Sequence, residues 1–63
     1  MIEVVTVSGK GETIDRAEAD SPENAVYAAR TLLREAADLG YASSTTLVRF
    51  YVAGSLVRET GKP

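Results

Sequence analysis

The 63-residue chain has no cysteine, no histidine and no tryptophan, and only one phenylalanine. Without cysteine there is no disulfide framework and no thiolate metal site. Without histidine as well, a zinc site would rest on carboxylates alone, against that metal's preference for nitrogen and sulfur ligands. Histidine is also the one side chain whose unperturbed pKa lies near neutrality. General acid–base chemistry would therefore fall to a strongly shifted Glu, Lys or Tyr in an enclosed pocket. A domain of this length hides only about 60% of the surface its unfolded chain exposes, which leaves little room for such a pocket. The expectation is a protein that is not an enzyme, with no cofactor, no metal and no small-molecule substrate.

Positive charge and long apolar runs are also scarce. Seven basic residues stand against nine acidic ones, a net charge of −2. That balance argues against nucleic-acid binding, which rests on clustered Lys and Arg. No apolar stretch approaches the roughly 20 residues of a membrane span. Met1 is not followed by the basic region and apolar run of a secretory signal. The expected location is the cytoplasm, with no membrane partner. Among the usual stabilisers of small domains, oligomerisation is the one left.

The residues that are present read as one ββαββ domain over 1–63, an α+β fold. It would form an antiparallel sheet of about four strands with one amphipathic helix packed on one face. Residues 2–7, Ile-Glu-Val-Val-Thr-Val, are rich in β-branched side chains and read as a strand. Ser8-Gly9-Lys10-Gly11 is a turn signal, and 12–19 returns as a weak strand, frayed or at an edge. With Ser8 to Gly11 as the loop, Val7 faces Glu12, Val5 faces Ile14 and Glu3 faces Arg16. The glycines do not make a phosphate loop: the GxxxxGK[ST] spacing is absent, and Glu12 would repel an anion.

The helix spans 22–39. Ser21 is a natural N-cap, Pro22 fits the first helical position and Glu23 complements the dipole. Ala25, Val26, Ala29, Leu32, Leu33, Ala36 and Leu39 recur at the spacing of one buried face, and Gly40 follows as the stop. Residues 47–52 form the strongest strand and 56–59 return, with a tail at 60–63. Taking Gly54-Ser55 as the turn pairs Val52 with Val57, Tyr51 with Arg58 and Phe50 with Glu59. The alternative Ala53-Gly54 turn would set Arg49 against Arg58, a like-charge pair.

Alternation along 47–52 sends Val48, Phe50 and Val52 under the helix. Leu47, Arg49 and Tyr51 then lie on the open face of the sheet with Leu56 and Arg58. Tyr and Arg are enriched at binding hot spots, and soluble monomers seldom leave large apolar patches without a use. The leading expectation is a non-catalytic interaction module that presents Leu47, Arg49, Tyr51, Leu56 and Arg58 to a protein partner or to a second copy of itself. An alternative is a small phage or mobile-element accessory protein that binds and modulates a host protein. Another is nucleic-acid binding through the same sheet face, as base-stacking sheets do. The carboxylates offer no catalytic pair: Glu35 and Asp38 sit beside Arg30 and Arg34 on a solvated helix face.

Overall fold

The computed structural model describes residues 1–60 and holds five elements. They are β1 (Ile2–Val7), β2 (Thr13–Ala19), α1 (Pro22–Asp38), β3 (Leu47–Val52) and β4 (Ser55–Thr60). The four strands form one antiparallel sheet in the order β2-β1-β3-β4. This is the ββαββ α+β domain expected from the sequence, with strand and helix ends within a residue of expectation. Thr60, part of the tail on the sequence reading, belongs to β4. The rest of that tail, 61–63, lies outside the described residues.

β1 is the innermost strand in packing terms. It is hydrogen-bonded on both sides, and Val4, Val5, Thr6 and Val7 are all buried. Ile2, Val4 and Thr6 point toward the helix, because successive side chains alternate across a sheet. Val4 and Val48 join Ala19 of β2 and Ala25, Ala29 and Leu32 of α1 in a single apolar core. The Thr6 hydroxyl, buried within this layer, donates to the Asp15 carbonyl at 3.3 Å.

The helix starts and stops where its sequence dictates. Ser21 Oγ accepts from the Asn24 amide at 3.2 Å, which satisfies one of the free N–H groups of the first turn. At the other end the Gly40 N–H donates to the Ala37 carbonyl and the Tyr41 N–H to the Ala36 carbonyl, both at 3.0 Å. These are the two bonds of a Schellman stop.

Both hairpin registers differ from the sequence reading. In the first, a three-residue loop replaces the expected four: the Ser8 N–H donates to the Glu12 carbonyl at 2.8 Å. Ser8 Oγ also accepts from the amides of Lys10 and Glu12, each at 3.2 Å. Gly9 is held close to the α1–β3 loop, where a Cβ would lie 2.9 Å from Thr45 Cβ. Ile14 is an extra, bulged residue, so Val5 faces Arg16 and Glu3 faces Glu18. The like-charge pair is relieved diagonally, since Arg16 reaches Glu3 at 3.2 Å. β2 is a full-length strand and, as expected, an edge.

In the second hairpin the turn is Ala53-Gly54, not Gly54-Ser55. Both central residues have positive φ, 52° and 81°, the signature of a type I′ turn whose twist matches that of the strands. The feared Arg49–Arg58 opposition does not arise, because Val57 is bulged out of the register. Tyr51 therefore pairs with Leu56, Phe50 with Arg58 and Arg49 with Glu59. A single inserted residue turns the like-charge pair into an ion pair, Arg49 Nε to Glu59 Oε2 at 2.6 Å.

Ala53 holds a left-handed conformation that L-residues with a Cβ resist, at a cost of about 1 kcal/mol. Asparagine tolerates it and makes the favoured Asn-Gly turn. Ala53→Asn should therefore raise the urea midpoint, with a stabilisation of about 0.5–1 kcal/mol. A fall in stability would return the turn to Gly54-Ser55.

Candidate interaction surface

The helix roofs only half of the sheet. It lies over β2 and β1, reaches β3 at few points and makes no close backbone approach to β4 among the described residues. Its buried stripe explains this placement. Ala25, Ala29 and Ala36, with Leu32, are the buried positions, and their small side chains let the helix settle close against β1 and β2. The expected apolar face is split in two. Val26 and Leu33, one turn around from the alanines, look sideways over the uncovered strands together with Arg30. Leu39, expected in the core, is 70% exposed at the helix end.

Between α1 and the β3–β4 hairpin runs an apolar groove of about 620 Å³. Its floor is Phe50 and Val52 of β3, its near wall Val26 and Leu33, and its far lip Val57 of β4. Ile2 closes one end. Val52 and Val57 are 40% and 61% exposed. The bulge is what brings Val57 here: it sets two consecutive side chains, Val57 and Arg58, toward the helix side instead of alternating them. Among the described residues, Arg30 and Arg58 line the groove and no carboxylate does. Neither arginine is in an ion pair among the described residues, where the pairs are Arg16–Glu3 and Arg49–Glu59.

The opposite, helix-free face carries Leu47, Arg49, Tyr51 and Leu56, four of the five residues singled out from the sequence. The fifth, Arg58, is on the other side, facing the groove opposite Phe50, because the Val57 bulge reverses its orientation. The outer face is also better closed than the alternation implied. Val5 and Val7 point that way but are only 6% and 2% exposed. Val5 lies between Arg16 and Arg49 in the register, whose aliphatic stems flank it while their charged ends reach out. Glu3 and Glu59 hold those ends in place. The Arg49 guanidinium is raised above its ordinary range by its hydrogen bond to Glu59 and, second, by Tyr51, so it stays a fixed cation at any physiological pH. Leu47 and Tyr51 are half-buried, and Leu56, at 51%, is the one exposed apolar residue of the set.

Among the described residues no cluster of three acidic side chains is arranged to hold a metal ion, and no helix is long and apolar enough to cross a membrane. Sequence reasoning missed the groove because its far lip depends on a bulge. The signal within reach was the Arg49–Arg58 conflict, which a one-residue insertion resolves as well as a changed turn does. Comparison with known proteins finds no matching family model, no matching curated protein and no matching solved structure.

An anionic aromatic probe such as anilinonaphthalene sulfonate suits a groove of this composition. Val57→Asp should lower its binding several-fold, while Leu56→Asp should leave it unchanged, since surface substitutions of this kind cost within about 0.5 kcal/mol of stability. The reverse pattern would make the outer face the apolar one.

Proposed function

We propose that the chain is a non-catalytic interaction module and that its contact surface is the groove between α1 and the β3–β4 hairpin. The observation that carries this reading is the unroofed half of the sheet. Phe50, Val52 and Val57 occupy positions where a two-layer domain keeps its core, yet among the described residues Phe50 is only half-buried and Val52 and Val57 are exposed. An apolar trough rimmed by polar groups is the usual form of a protein-binding site. Among the described residues its charged lining is Arg30 and Arg58, and a guanidinium offers hydrogen-bond donors and no acceptor. That supports binding over catalysis.

The outer face, with Leu47, Arg49, Tyr51 and Leu56, is the competing surface for the same role. It favours itself through Tyr51 and Leu56, which stand opposite each other across the β3–β4 ladder. Its ion pairs, however, already engage Arg16 and Arg49 within the chain, and an arginine engaged at home has less to offer a partner.

A photo-crosslinking side chain placed at position 57, and separately at position 56, tests the two faces inside the producing cell. These neighbours sit on opposite sides of the sheet. Position 57 should give a discrete cross-linked species that Val52→Asp abolishes, and position 56 should give none. Cross-linking from 56 alone would move the site to the outer face. Failure from both would refute a sheet-borne interaction surface.

A further inference from the structure

Resting on the groove as contact surface, we infer that its occupant is an amphipathic α-helix of a different protein, with carboxylates flanking its apolar face. Three observations lead there. The first is width. An α-helix with its side chains is about 10 Å across, and strands lie about 4.8 Å apart, so the uncovered β3–β4 pair offers room for one more helix beside α1. The second is charge. The chain is acidic overall, yet among the described residues its groove is lined by Arg30 and Arg58 and by no carboxylate, so the complementary ligand is negative at its edges and apolar along its centre.

The third observation concerns what does not fit. A symmetric dimer through this groove would bring the same surface against itself and crowd four arginines together. The chain's own α1 makes a poor guest for a second copy, because its buried stripe is spent on β1 and β2 and its Val26 and Leu33 wall its own groove. Its outer side carries Glu23, Arg30, Arg34, Glu35 and Asp38. Strand addition at the β4 edge is also disfavoured, since a bulge at Val57 interrupts the regular pairing of that strand.

The test uses a designed helical peptide of about 18 residues, long enough to run beside the 17-residue α1 at about 1.5 Å per residue. It has a Leu/Ala face flanked by Glu, and its twin carries Lys in place of every Glu. Binding is followed by fluorescence anisotropy, and the contact surface by amide shifts of the protein. The acidic peptide should bind at least about tenfold tighter than the basic one, with shifts at Phe50, Val52, Val57 and Leu33. The double variant Arg30→Glu/Arg58→Glu, both positions being exposed, should reverse the preference while the circular dichroism spectrum stays that of the parent.

Equal binding of the two peptides, or an unchanged preference in the double variant, overturns the acidic helix. Shifts confined to the groove would in that case leave the broader contact-surface reading standing. A mass that doubles across a dilution series, with Val57→Asp restoring the monomer, overturns it in favour of a second copy. Tighter binding of laurate than of either peptide overturns it in favour of a small amphiphile. Absence of binding by the acidic peptide up to about 1 mM also overturns it, and the cross-linking at position 57 then decides the groove reading on its own.

Discussion

One helix can roof about two strands, and this chain has one helix and four strands. The rest of the structure follows from where that single roof is placed. It sits over β2 and β1 because the helix offers those strands an alanine stripe, Ala25, Ala29 and Ala36, that permits close approach. β1 gains most. Covered by α1 on one side and flanked on the other by Arg16 and Arg49 at Val5 and by Thr13 and Leu47 at Val7, it buries four consecutive residues, Val4 to Val7. β3 and β4 are left with their helix-side apolar residues facing a groove.

The two bulges are the second constraint. Each adds one residue to an edge strand, Ile14 in β2 and Val57 in β4. Bulges blunt edges that would otherwise invite pairing with other chains. They also retune electrostatics. In β4 the insertion brings Glu59 opposite Arg49 and frees Arg58 to face the groove. One residue thus closes the outer face with an ion pair and gives the inner face a cation. The ion pair is exposed and contributes specificity of register more than stability.

Much of this fold was legible in the sequence, for reasons that are local. The β-branched run of Ile2–Val7, the Ser21-Pro22 opening, the period of the apolar helix positions and the Gly40 stop each act over a few residues. The paired registers were not legible, because pairing is non-local and a bulge leaves no composition signal of its own. The Glu3–Arg16 attraction was real but acts diagonally, so the direct opposition inferred from it slid by two positions. The same limit governed the candidate site. Leu47, Arg49, Tyr51 and Leu56 share a face as alternation requires, whereas Arg58 lies beyond the bulge and changes sides. Which half of the sheet the helix covers depends on side-chain size along the helix, Ala against Val and Leu, and not on the apolar period alone.

The half-roofed sheet is tested most directly by solvent paramagnetic relaxation of methyl groups, with a neutral gadolinium chelate added to the methyl-labelled protein. The account predicts strong broadening of the Val52, Val57 and Val26 methyls, with Val4, Val48 and Leu32 protected under the helix, Val5 protected between the arginine stems, and Val7 protected between its neighbours Thr13 and Leu47. Protection of Val52 and Val57 together with broadening of Val5 and Val7 would contradict it, placing the covered and the open surfaces of the sheet the other way round.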